Sequence, residues 1–227
     1  MKALASQPKL VEQVHKAILS EIAEAKLKAG ERIIQEQIAQ ALGVSRQPVQ
    51  QALVLLKNQG ALIEAPGRGL QVAPLNLDVI RRMYEVRAVI EGLVFRKAAE
   101  NFPESARKQA EKLLAAGRQA INTSSLRELI SVDIAFHSLF YELADNPLIC
   151  QTMASHWVTT QRVMGSVLLT PDKPRDIWDE HEAMFEFVAN GEAEKAEQMA
   201  RLHIVQAAEF MLERFSDQAT RRSAKQP

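Results

Sequence analysis

Apolar side chains recur at helical spacing over residues 9–25, at Val11, Val14, Ile18, Leu19 and Ile22, and predict a first helix that Gly30 stops. The period returns over 35–42 at Ile38, Ala41 and Leu42 and breaks at Gly43-Val44-Ser45. It resumes over 46–59, where Val49, Ala52, Leu53 and Leu56 form an inward stripe. Two helices joined by three residues predict a helix-turn-helix. Gly60 ends the third helix, and residues 61–64 and 70–72 read as short strands around Ala65-Pro66-Gly67-Arg68-Gly69, a hairpin wing. Strand signals then vanish. Helices are predicted at 77–101, 103–121, 124–144, 147–169, 176–190 and 192–215, with Pro103, Pro147, Pro171, Pro174 and Gly191 at their joints.

The expected fold is therefore mainly α: an N-terminal winged helix-turn-helix of three helices plus a short β-hairpin over 1–74, and a C-terminal all-α helical bundle over 79–215. Residues 75–78 form a linker, and the polar tail 216–227 is expected to be disordered.

Composition sharpens this division. The 227 residues are 47% hydrophobic and 25% charged, ordinary globular values with room for two modest domains. The formal net charge is zero, but residues 1–74 carry nine Lys/Arg against six Asp/Glu, a net +3, leaving 19 basic and 22 acidic residues, a net −3. That asymmetry suits a DNA-binding head on an acidic body. No run reaches the roughly 20 apolar residues of a membrane span, and the N-terminus lacks an apolar signal core, so a cytoplasmic protein without membrane partners is expected. The single cysteine, Cys150, excludes an internal disulfide and, beside Leu148, Ile149 and Met153, reads as a small buried thiol.

The third helix carries the DNA-reading chemistry. Ser45 stands at the N-cap, and Pro48 at the third helical position has no N–H to offer, so Ser45 is expected to cap through the Gln47 amide. With the apolar stripe turned inward, Arg46, Gln47, Gln50 and Gln51 face outward at the end from which recognition helices read bases. Arg forks onto guanine and Gln onto adenine, while Ser45 and the helix N-terminus suit phosphate. Arg68, between two glycines, suits a minor groove. The alternative is that all of these are solvated polar residues. The run Leu42-Gly43-Val44-Ser45-Arg46-Gln47-Pro48-Val49-Gln50-Gln51-Ala52-Leu53, followed by Gly60 and Gly67-Arg68-Gly69-Leu70-Gln71-Val72, resembles the head of the GntR family of transcription regulators. It departs at Gln50-Gln51, where that family usually carries an Arg-Glu pair, so Gln50 replaces a phosphate- or base-contacting arginine and leaves the operator sequence open but not the DNA-binding role. Recognition by a homodimer on two-fold related, double-stranded operator DNA is expected, because one recognition helix reads few bases.

Three of the five histidines form a second pattern with one aspartate. Asp133 and His137 are four apart and project from one helix face. In an antiparallel hairpin turning near Asn190-Gly191, His181 and His203 come to comparable heights. One Asp and three His suit a borderline divalent metal, zinc or nickel before others; as single residues, the histidines equally suit polar surface or core positions. Residues Val132-Asp133-Ile134-Ala135-Phe136-His137, Asp145-Asn146-Pro147, Glu180-His181 and Asn190-Gly191-Glu192 with His203 resemble the FCD effector domain of FadR/VanR-like GntR regulators. The resemblance implies a metal on Asp133, His137, His181 and His203 with positions open to a small organic acid effector. Through Glu85-x-Arg87 it makes Arg87 a candidate carboxylate clamp; a surface or interdomain salt bridge suits Arg87 equally. Arg162 is a second clamp candidate of the same kind, and His15 and His156 match no motif. The functional expectation is a ligand-responsive repressor and not an enzyme. The rivals are a metallohydrolase, since Asp and three His around a metal also activate water, and an interaction bundle with an incidental metal.

Overall fold

The computed structural model describes residues 8–168 and 177–223, so Pro171 and Pro174 lie outside the described residues. The order is α1 (Pro8–Ala23), β1 (Arg32–Ile33), α2 (Gln35–Leu42), α3 (Arg46–Asn58), β2 (Leu62–Glu64), β3 (Leu70–Val72), α4 (Leu77–Glu100), α5 (Glu104–Asn122), α6 (Leu126–Leu143), α7 (Pro147–Leu168), α8 (Trp178–Ala189) and α9 (Ala193–Ser223). The chain divides into two compact units, Met1–Leu75 and Asn76–Pro227. No described helix is long and apolar enough to cross a membrane.

In the first unit α1 packs on α3 through Val14, Ile18, Leu19 and Ile22, and α3 buries Val49, Ala52, Leu53 and Leu56 as the periodicity requires. In α2 the inward residue is Ala39, with Ile38 half-buried, while Leu42 is exposed. The helix ends there because Gly43, at φ +64°, returns its N–H to the Ala39 and Gln40 carbonyls. The wing has a strand that periodicity missed: β1 pairs with β3, giving the antiparallel order β1-β3-β2. Two residues carry no readable alternation, and the strand exists through its partner. The Arg32 guanidinium donates to the Pro66 carbonyl at 2.5 Å, tying β1 to the wing tip. Gly67 and Gly69 flank that tip at φ +89° and +90°, a conformation that excludes most other residues.

The second unit is a helical bundle whose core is aromatic, with Phe95, Phe136, Phe140 and Trp178 fully enclosed. Helix α4 opens on Asn76, whose side chain accepts from the Asp78 and Val79 amides at 2.9 and 3.1 Å. Helices α4 and α9 pack most extensively and run antiparallel, since residue 92 abuts Arg201 while Arg96 reaches Glu197 and Glu194. At residue 92 a Cβ would come within 2.6 Å of the Arg201 side chain, which would have to move aside, so glycine suits this close approach of α4 and α9. Helices α8 and α9 meet at Gly191, φ +71°, the turn expected from the sequence.

Two expectations fail here. Cys150 is exposed, because Ile149 and Met153 take the inward positions of α7 and leave residue 150 outside; its Sγ lies 3.8 Å from the Tyr141 carbonyl. The tail from Ser216 is helical as far as Ser223, because no glycine or proline interrupts α9 before Pro227 and its residues tolerate helix well. Residues 224–227 lie outside the described residues.

Candidate functional site

Helix α6 presents Asp133 and His137 from one face, α8 adds His181 and α9 adds His203, all four buried. The three histidines bring ring nitrogens within 4.8 Å of one another. His181 Nε2 lies 3.2 Å from His203 Nε2 and 3.7 Å from Asp133 Oδ1. Aromatic neighbours fix the rings: Phe136 stacks on His181 at 4.5 Å between centroids, and Trp178 meets the same ring edge-on at 4.6 Å.

Two further carboxylates hold the imidazoles from behind. His137 Nδ1 is 3.0 Å from Glu91 Oε2, and His203 Nδ1 is 2.7 Å from Glu180 Oε2. A carboxylate at Nδ1 selects the tautomer protonated there and turns the Nε2 lone pair inward. The buried Nε2 of His137 has no hydrogen-bond partner among the described residues. An orphaned acceptor beside two more imidazoles and an aspartate is a donor set of three nitrogens and one oxygen that fits a borderline divalent cation.

Glu91 is the hub of this arrangement. It is fully buried and also accepts from Arg87 Nε at 3.1 Å and from the Tyr141 hydroxyl at 2.9 Å. Burial opposes its ionisation, but the neighbouring His137 ring, the Arg87 guanidinium and the hydrogen bonds from His137 and Tyr141 outweigh that and hold the carboxyl down to about 2. Burial first and then the Glu91 charge push the Tyr141 hydroxyl up, so it remains a neutral donor. Burial works against the Arg87 charge as well, and Glu91 more than restores it. Arg87 is therefore neither a surface nor an interdomain ion pair. It is 3% exposed, pairs within α4, and stacks 4.7 Å from the Trp157 ring.

Arg87, Asp133, His203 and Tyr84 are the polar residues lining a narrow cavity whose remaining wall is apolar. Arg162 is buried on α7, where burial alone lowers it to about 10, and is not among the residues lining this cavity. His156 is half-buried and held below its usual value by burial and by the Arg87 charge, and His15 approaches the Gln59 side chain at 2.5 Å. Glu91, Tyr141 and Glu180 escaped the sequence reading. Their signals were local: Glu91 follows Arg87 by four residues, Tyr141 follows His137 by four, and Glu180 directly precedes His181.

In the first unit Arg46, Gln47, Gln50 and Gln51 are all exposed on the N-terminal half of α3, and Arg68 is exposed on the wing. Ser45 occupies the N-cap at φ −72° and ψ 165°, but its side chain makes no cap hydrogen bond. The expected bond to Gln47 is not formed, and Pro48 removes the other amide a cap would use. Arg46 pairs with Glu36 at 2.5 Å, both side chains well exposed, and Gln35 donates to the Arg46 carbonyl at 2.7 Å, which ties α2 to the start of α3.

Residues 10–72 match the bacterial regulatory proteins of the gntR family, and residues 82–206 match the FCD domain. The chain is 25% identical over 198 residues to the HTH-type transcriptional repressor RspR of Escherichia coli K12, covering 87% of each protein. It is 26% identical over 146 residues to the HTH-type transcriptional regulator McbR of the same organism, covering 64% of this chain and 66% of McbR. The solved structure of E. coli McbR/YncC shares its fold, with a TM-score of 0.81 and 20% identity over 93% of this chain and all of that one. The chain belongs to the gntR family of bacterial regulatory proteins, in the group that carries a C-terminal FCD domain, and is a transcriptional regulator, not an enzyme.

Proposed function

We propose that the protein is a ligand-responsive repressor that binds operator DNA as a homodimer and is controlled by a small organic acid bound beside a divalent metal. The observation that carries this reading is the orphaned Nε2 of buried His137, within a cluster whose Asp133 and His203 also line the cavity holding Arg87. Asp133, His137, His181 and His203 would hold the ion, zinc or nickel. The ion supplies Lewis acidity toward a carboxylate oxygen. One aspartate, three neutral imidazoles and a divalent cation leave about one positive charge at the site, which favours an anion. Because Glu91 already neutralises Arg87, the guanidinium serves as a directed donor more than as extra charge. Arg162, absent from the cavity wall, would act on the effector only indirectly.

The DNA-reading surface is Ser45, Arg46, Gln47, Gln50, Gln51 and Arg68, with the free cap hydroxyl of Ser45 suited to a phosphate. The name of RspR supports repression as the regulatory sense. Helix α4 begins directly after the chain leaves β3 and carries both Arg87 and Glu91, so an effector acts on a segment covalently continuous with the wing. Coupling of about 1–3 kcal/mol is usual for such systems.

The test is to recover genomic DNA fragments retained by the protein, and then to follow one in a mobility-shift assay with metal-loaded and metal-stripped protein across a panel of carboxylic acids. An acid that changes operator affinity only in the loaded protein supports the reading. Absence of metal by elemental analysis after growth with zinc and nickel, or equal response in His181→Ala and His203→Ala proteins, would end it. A one-chain mass in solution with and without DNA would remove the dimer.

A further inference from the structure

The cavity beside the histidine cluster is divided by chemistry. Its polar lining residues lie together: the Arg87 guanidinium is 5.8 Å from the Tyr84 ring, and Asp133 is close enough to act electrostatically on both Arg87 and His203. The rest is apolar, with Ile121, Leu129, Ile177, Ile204, Phe210 and Met211 facing the space. These side chains offer no hydrogen-bonding group. A ligand hydroxyl or second carboxylate placed against them would exchange its water partners for none, whereas a methylene or ring placed there leaves water favourably.

We infer that the effector is an amphipathic monocarboxylic acid, with its carboxylate at the Arg87, Asp133 and His203 end and an aliphatic or aromatic body along the Leu129, Ile204, Phe210 and Met211 wall. Polyhydroxylated sugar acids and polycarboxylates are excluded as tight ligands by the same wall. The inference rests on the carboxylate reading above and adds the chemical class of the remainder of the molecule.

Calorimetric titration of the full-length, zinc-loaded protein with straight-chain monocarboxylates from acetate to decanoate, alongside gluconate and citrate, tests it. Affinity is expected to climb about fourfold per methylene, the equivalent of the ~0.8 kcal/mol of a buried CH₂, until the cavity is filled. Ala207, also on the cavity wall, permits a steric check. Ala207→Phe, one turn beyond His203 on α9, is expected to weaken octanoate at least tenfold and acetate much less, because acetate needs little of the apolar wall that the ring fills. Affinity independent of chain length, or strongest for gluconate or citrate, overturns the inference and leaves the carboxylate reading standing. Alkanols or alkylamines binding as well as acids of equal length, or no acid binding, overturns the carboxylate reading and the inference together.

Discussion

Replacing Glu91 by glutamine probes the network that sets the site. The carboxylate has no solvent exposure and accepts from Arg87, His137 and Tyr141 at 3.1, 3.0 and 2.9 Å. Glutamine keeps the shape, removes the charge, and places a donor among donors. Arg87 then stays buried without the carboxylate it pairs with, and breaking one side of a buried pair costs about 3–5 kcal/mol. Tyr141→Phe removes only one hydrogen bond to a charged acceptor, a loss of about 1.5–3 kcal/mol. The two variants must therefore rank in that order. For a unit of this size each kcal/mol moves the melting temperature by roughly 2–4 °C, so Glu91→Gln lowers it by roughly 6–20 °C. Both tryptophans, Trp157 and Trp178, belong to the second unit, so their fluorescence in urea reports that unit alone. His137 loses the acceptor that orients it, and zinc affinity of the stripped protein falls by about 10–100-fold, as for other outer-shell partners. Adding Arg87→Met to Glu91→Gln removes both charges and recovers part of the stability. Glu91→Gln within about 1 kcal/mol of the parent, with unchanged zinc affinity, would show that the carboxylate is not the counter-charge argued here.

The convergence of Asp133, His137, His181 and His203 was legible because two local rules place them. A spacing of four fixes Asp133 with His137 on one helix, and the Gly191 turn sets the α8–α9 hairpin that aligns His181 with His203. Their outer partners obey no such rule across the fold: Glu91 and His137 are 46 residues apart and meet only when α4 packs on α6. The bundle helices were readable from Pro and Gly punctuation, and the exposed face of α3 from its opposite stripe of Val49, Ala52, Leu53 and Leu56. What escaped is what depends on a partner or on one step of helical phase. Strand β1 exists by pairing with β3, the Ser45 cap bond is absent although its position is right, and Cys150 falls one residue outside the buried side of α7.

Arg46→Ala, exposed on α3 and paired with Glu36, is expected to weaken specific operator binding by about 1–3 kcal/mol in a mobility-shift titration while leaving weak non-specific binding nearly intact. Full operator affinity in that protein would misplace the reading face. Gly117→Ala would set a Cβ 2.2 Å from the Trp178 ring, so the second unit loses about 1–3 kcal/mol to overpacking and its tryptophan emission shifts; a melt identical to the parent's would contradict this packing. Acid destabilises the metal-stripped protein in two stages, read as urea midpoints from pH 7.5 to 3. Burial, only partly offset by Glu180, pushes His203 below its ordinary 6.5, so the unfolded chain takes the proton first. That contribution is complete above 6.5 and is lost as pH falls below it. Glu91 is depressed from 4.5 to about 2, so its contribution is present above 4.5 and is lost as pH falls from there toward 2. The midpoint therefore declines first below 6.5 and more steeply below 4.5. His203→Gln should shrink the first stage to the part that His156, also held down by burial, supplies, and keep the second. A stripped protein whose midpoint is flat from pH 7 to pH 5 would mean that His203 is not held neutral by burial.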